Sequence, residues 1–387
     1  MKKIILFILL AQTALAQSLS DKARISIITM GPSNEELYAA FGHSAIRVED
    51  PLLGIDEAYN YGVFDFDQPN FYLNFAKGYL YYRLGVYDYK RFEYVYIYRN
   101  RSVHEQELNL TLSQKQRLYD FLLWNAQPEN ANYRYDYFYD NCATKIRDVM
   151  KTVFGDSIRF DDAAIKTNYS FRQLTDLYLN EHPWGDLGID ICLGLPMDKK
   201  ASPQEYMFLP DYVESSFARA SLNSSTGQIP LVQKVKVIYE ATPEGSRPNL
   251  TRPVIVFSVL LVACALLTYR DFKRRKATQL FDIVFFSILG AIGLLLLLLW
   301  IATDHQAAAR NMNIWWALPT HLVAVIAFIR QPAWLSKYFL AVACASVLLL
   351  VSWAWLPQML HMALIPIVVI VAMRSALQYY VRQQKAN

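Results

Sequence analysis

YDYFYDNCATKIRD, residues 135–148, decides how this chain is read, because it carries one of only four cysteines among 387 residues. An alternating run, with Tyr133, Tyr135, Tyr137 and Tyr139 separated by other residues, gives way after Asn141 to a helical period that carries Ile146, Val149 and Val153 on one side. Cys142 therefore falls in the first turn of a helix. There the positive end of the helix dipole lowers a thiol pKa, and free backbone N–H groups can hold an oxyanion. A thiol nucleophile also needs a base.

The base is suggested by FGHSAIRVED, residues 41–50, which alternates and is followed by PLLGID and a second alternating run, EAYNYGVFDF. Residues 42–50 and 57–66 are read as an antiparallel hairpin. His43 lies early on its first strand, and the returning strand places its partner near residues 60–65, so Asn60 or Asp65 is the expected orienter of the imidazole. A register shift of one residue decides between the two. SQKQRLYDFLLWNA, residues 113–126, has helical spacing.

Outward from these stretches the chain divides in two. Residues 1–16, MKKIILFILLAQTALA, join two lysines, an apolar run and an A-x-A pattern, which reads as a signal peptide. Residues 17–222 have the mixed, aromatic composition of an exported globular domain. Residues 223–252 are rich in Ser, Gly and Pro around one strand-like run, LVQKVKVIYE, and read as a linker. Five apolar runs follow, at 254–269, 281–302, 314–329, 338–356 and 358–373, within a membrane region of 253–374 and ahead of a tail at 375–387. The basic loop RDFKRRK at 270–276, Arg330 with Lys337, and Arg374, Arg382 and Lys385 are expected on the cytoplasmic side. The exported domain then faces the periplasm and the C-terminus the cytoplasm of an inner-membrane protein. A formal charge of +4 without a basic block in the exported part excludes a nucleic-acid binder.

Between the second and third runs lies TDHQAAARNMNIWW, residues 303–316, with His305, Arg310, Asn311 and Asn313 on the side of the exported domain and Trp315 and Trp316 in the interfacial belt. A guanidinium suits a lipid phosphate, so these four residues are expected to hold the lipid substrates.

The order histidine strand, then cysteine helix, resembles the circularly permuted branch of the NlpC/P60 papain-like superfamily, whose lecithin:retinol acyltransferase-like members carry an Asn-Cys pair, here Asn141 and Cys142. FGHSAIRV, YNYGVFDF, DNCATKIRD, MFLPDYV (207–213) and the 303–322 loop, followed by an apolar tail, are similar to the Lnb-type lipoprotein N-acyltransferases. The resemblance implies an α+β, permuted papain-like exported domain followed by a five-helix membrane domain. It implies acyl transfer from a phospholipid donor through Cys142 to a diacylated lipoprotein acceptor, with His43 as base and no metal or organic cofactor. The Cys142 N–H, with the Asn141 side chain, is the expected oxyanion donor. Two rivals stand beside this reading: a membrane-anchored thiol hydrolase of cell-wall peptides or lipids, and a non-enzymatic sensor in which Cys142 and Cys192 form a disulfide.

Overall fold

The computed structural model describes residues 18–64, 67–224, 227–243 and 250–386. The expected signal peptide and Asp65 lie outside the described residues.

A seven-stranded antiparallel sheet organises the exported part. Its strands are β1 (Arg24–Met30), β2 (His43–Asp50), β3 (Ile55–Val63), β4 (Tyr81–Asp88), β5 (Val103–Leu108), β6 (Asn132–Arg134) and β10 (Val232–Tyr239), in the order β10-β5-β1-β2-β3-β4-β6. A small sheet is built from β7 (Ile158–Arg159), β8 (Ser221–Ser224) and β9 (Gly227–Pro230). The expected hairpin is β2–β3, with Ile46 opposite Tyr59. Two sequence readings change here. The strand-like run in the linker becomes the edge strand β10, paired with β5, so the sheet reaches beyond residue 222. The tyrosine run keeps only three residues in a strand, because the Asp136 carboxylate accepts from the Phe138 and Tyr139 N–H groups and turns the chain.

Helices α1 (Phe71–Lys77) and α2 (Tyr89–Tyr98) follow β3 and β4; α3 (Leu112–Asn125), α4 (Pro128–Ala131) and α5 (Cys142–Phe154) follow β5. Alternation along the strands gives the sheet two buried faces. Ile27, Ile46, Val48 and Tyr59 pack against Leu118 and Leu122 of α3 and Ile146, Val149 and Met150 of α5. Ile28, Ala45 and Ala58 point the other way, beneath Tyr89 and Phe92 of α2. A third cluster, around Phe138, Phe171, Tyr206 and Phe208, is supplied by α6 (Phe171–Asp176) and the segment before α8 (Pro210–Arg219).

The C-terminal part is helical and apolar: α9 (Pro253–Lys273), α10 (Gln279–Ile301), α11 (Thr320–Ala327), α12 (Trp334–Ser352) and α13 (Ile365–Ala386). Among the described residues four helical segments, not five, are long and apolar enough to cross a membrane, namely Pro253–Lys273, Gln279–Ile301, Trp334–Trp355 and Met362–Gln384. The expected third span fails because α11 has eight residues, ~12 Å against the ~30 Å of a hydrocarbon core. Pro319, with no N–H to donate, stands at its start, and Asn313 is drawn away to α7 (Pro183–Cys192). Arg374, expected with the C-terminal tail, is instead buried within α13 and paired with Asp282 at 2.6 Å and Asp271 at 3.1 Å.

The two halves are clamped together. The Asn313 Nδ2 donates to the Asp190 carbonyl at 2.8 Å, the Asn311 Nδ2 to the Ile191 carbonyl at 2.7 Å, and the Met359 N–H to Asp198 at 3.0 Å. Leu187 of α7 is buried in the same apolar cluster as Phe286, Trp316 and Phe339 of the helical region.

Candidate functional site

The start of α5 is held by Asn141. Its Oδ1 accepts from the Ala143 and Thr144 N–H groups, each at 2.9 Å, while the Thr144 Oγ1 accepts from the Asn141 N–H at 2.8 Å. This reciprocal cap satisfies three donors and fixes Cys142 as the first helical residue. The Asn141 Nδ2 donates to the carbonyls of Tyr137 at 2.9 Å and Phe208 at 2.8 Å. With both amide hydrogens committed, Asn141 positions the helix, and the expectation that it also serves an oxyanion gives way. The Cys142 N–H, at the first helical position, has no acceptor within the helix. Asn141→Ala is expected to cost roughly 2 kcal/mol or more, from the lost cap and two orphaned carbonyls. Thermal unfolding of the full chain in detergent reads this as a lowered midpoint, and an unchanged midpoint would refute the assignment.

His43 and Asn60 meet at the same end of the sheet. The His43 Nε2 lies 2.6 Å from the Asn60 Oδ1, which chooses Asn60 as the described partner. An amide oxygen can only accept, so Nε2 carries the hydrogen and Nδ1 is left to take the thiol proton. The ring is stacked on Tyr96 of α2 at 6.1 Å between centroids. The thiol reaches this histidine because β3 bulges between Asn60 and Val63, and Gly62 has φ +92°. A Cβ at Gly62 would lie 3.5 Å from the Cys142 Cβ and 4.0 Å from the His43 Cε1. Gly62 is therefore the floor on which the pair rests.

Burial by itself pushes the Cys142 thiol up, yet the adjacent His43 and the Ser44 and Ala143 N–H groups outweigh it and hold the thiol below its ordinary range. Burial likewise opposes the His43 imidazolium, but the thiolate and the Asn60 hydrogen bond raise its pKa. The two groups favour the ion pair together. Cys192 is the opposite case: burial pushes its thiol up, with no compensating partner. Both cysteines are free thiols, so the disulfide expected by the sensor reading is not formed.

Sequence reasoning missed Arg101, Ser44 and Gly62. Arg101 is 6% exposed, donates to the Gly31 carbonyl at 2.8 Å and lies over the Tyr96 ring. Its charge acts on both His43 and Cys142. Nothing local marks Arg101 or Ser44, whereas a glycine inside a strand is a recognised sign of a bulge or a close approach, and YNYGVFDF carried it.

The loop at 303–313 divides. Asn311 and Asn313 are buried and committed to α7 in the clamp, and Trp316 is buried with its Nε1 donating to the Asn313 Oδ1 at 2.8 Å. The two asparagine amides are thus spent on the clamp, where a lipid ligand was expected. Trp315 and Arg310 are exposed, the latter with φ +52° and no ion pair among the described residues. The His305 Nε2 lies 3.0 Å from the Phe75 carbonyl. Beside the clamp, carboxylate oxygens of Asp176, Asp186 and Asp190 lie within 4.8 Å of one another and could hold a cation. Arg172 and His361 already pair with Asp190 and Asp186, and burial with its acidic neighbours pushes Asp176 up to about 7.

Two family comparisons bear on this arrangement. Residues 11–176 match the Lnb N-terminal periplasmic domain, and residues 245–386 match the Lnb transmembrane domain. No curated protein and no solved structure gives a match.

Proposed function

The chain belongs to the Lnb family, a membrane protein with a periplasmic N-terminal domain and a C-terminal transmembrane domain, and from that premise we propose that it N-acylates exported lipoproteins. The donor is a membrane phospholipid and the acceptor the α-amino group of a diacylglyceryl-cysteine. The observation that carries this reading is a thiol with depressed pKa, paired with an Asn60-oriented histidine, in a domain clamped onto a membrane bundle. We place the exported fold in the permuted papain-like class and the C-terminus on the cytoplasmic side.

In the first half-reaction the Cys142 thiolate attacks the ester carbonyl, and the Cys142 N–H at the helix start receives the oxyanion. The C–O bond breaks, the His43 imidazolium protonates the leaving alkoxide, and a thioester remains with release of lysophospholipid. In the second, the amine attacks the thioester, His43 takes its proton, and the C–S bond breaks to give the amide and the thiolate. Ester plus amine becomes alcohol plus amide, without a cofactor. Arg310, exposed and unpaired among the described residues, supplies a guanidinium for the lipid phosphate.

Supplying phospholipid without a lipoprotein is expected to leave an acyl chain on Cys142, removable by hydroxylamine and visible by intact-protein mass spectrometry. Adding a diacylated lipopeptide is expected to discharge it and to add one acyl mass to the peptide N-terminus. Release of free fatty acid with an unmodified peptide would favour the hydrolase instead.

A further inference from the structure

Helix α1 buries none of its residues within the protein. Tyr72 is 78% exposed, Leu73 53% and Phe75 45%. A short helix that turns a tyrosine, a leucine and a phenylalanine outward, with no core beneath it, needs a partner for them.

What that partner is follows from where α1 is fastened. The Asp304 N–H donates to the Lys77 carbonyl at 2.8 Å, His305 meets the Phe75 carbonyl, and Arg134 forms an ion pair with Asp304. Gly78, at φ +82°, ends the helix so close to this loop that a Cβ would lie 2.8 Å from the Asp304 carbonyl carbon. Asp304 is only three residues beyond Ile301, the last residue of the span α10, whose final turn exposes Trp300. Three residues reach at most about 10 Å. The C-terminal end of α1 is thus tied at the edge of the hydrocarbon, with Lys77, Arg134 and the exposed Trp300 nearby in the chain or by contact, the aromatic and basic mixture of a membrane interface.

We propose that α1 is an interfacial helix whose Tyr72, Leu73 and Phe75 lie in the headgroup and acyl boundary of the leaflet beneath the exported domain. The Gln68 amide just before α1 donates to the Tyr81 carbonyl of β4 at 3.3 Å. Next along β4, Tyr82 touches Phe64 at 5.3 Å and stacks on Tyr135 at 4.2 Å, and Tyr135 is close enough to Cys142 to feel its charge. An acyl chain lifted from the bilayer at α1 therefore has an aromatic wall between the lipid and the thiol.

The test uses the full chain in vesicles of phosphatidylethanolamine and phosphatidylglycerol, with photoreactive p-benzoylphenylalanine installed singly at Leu73, Trp300 or Leu53. Lipid adducts are expected at Leu73 and Trp300 and not at Leu53, in the turn between β2 and β3. Adducts at Trp300 with none at Leu73, or Leu73 joined only to protein, would overturn the proposal. A second arm rests on the acyl-transfer reading. Leu73→Glu combined with Phe75→Glu is expected to slow transfer from bilayer lipid about tenfold or more, while a short-chain soluble ester and a small thiol reagent react with Cys142 as in the wild type. An equal loss with the soluble ester would count against membrane seating. Should neither protein transfer acyl chains at all, the acyl-transfer reading fails and the photoadducts still decide the position of α1.

Discussion

Cys142→Ser is expected to abolish acyl transfer, lowering the rate by about 10⁴-fold or more. The substitution changes one atom, but it removes the thiolate half of the ion pair that the site favours. A serine hydroxyl ionises far above the range in which His43 can hold an ion pair with it, so the imidazole stays neutral and the nucleophile stays protonated. Asn141 still caps α5, and Ile146, Val149 and Met150 still fill the core, so folding is expected to survive. Cys192→Ser is the control: its thiol is pushed up by burial and lacks a base, and transfer is expected to be unchanged. The depressed thiol pKa adds a signature in pH. Alkylation of Cys142 by iodoacetamide is expected to stay fast below the ordinary thiol range and to fall only as pH drops through the lowered thiol pKa. A rate that simply follows an ordinary thiol would show that the ion pair does not exist.

Gly62→Val is expected to be the next most damaging change, with about 100-fold loss of transfer. Two costs act together. At φ +92° a β-branched side chain is strained by roughly 1–3 kcal/mol. Its Cβ and methyl groups would also stand between the Cys142 Cβ at 3.5 Å and the His43 ring. Relaxing either cost moves the bulge that carries Asn60. Gly54 separates the two effects, since it has φ +67° but open space where its Cβ would go. Gly54→Val is therefore expected to lower the melting temperature while leaving the pH profile of Cys142 alkylation intact. Loss of the low-pH reactivity in both variants would mean that strain in the exported fold, not crowding at the thiol, is responsible.

How far the site was legible in the sequence depends on how local each signal is. Cys142 could be placed at a helix start because the cap, the thiol and the helical period are contiguous in DNCATKIRDVM. His43 and Asn60 required only a hairpin and its alternation, and a short turn fixes register to within about a residue. Arg101 comes from a third strand connection, and no period or motif ties it to His43; only the packing of α2 brings Tyr96 and Arg101 to the ring. In the membrane half, hydropathy found the long apolar helices but misjudged the third, because Pro319 starts its helix late and Asn313 is held by a clamp to α7, neither of which a window average can register. The asparagines of that loop read as lipid ligands from their place beside an interfacial tryptophan pair, whereas their amides are spent on α7. An amide that will cap a neighbouring helix and one that will meet a headgroup look alike until their partners are known.

The clamp between α7 and the outer loops has a consequence for selectivity. Asn311, Asn313 and Met359 hold α7 and Asp198 by hydrogen bonds that each use a backbone group, so in the proposed reaction the clamp would set the height of the thiol above the hydrocarbon. A phospholipid presents its two ester carbonyls at different depths and angles along the glycerol. A nucleophile that can neither rise nor sink works as a ruler, distinguishing those esters by where they stand and not by what surrounds them. The choice of ester would then be written in residues that never touch the lipid, and lengthening or tilting the clamp would shift the cut from one glycerol carbon to the next.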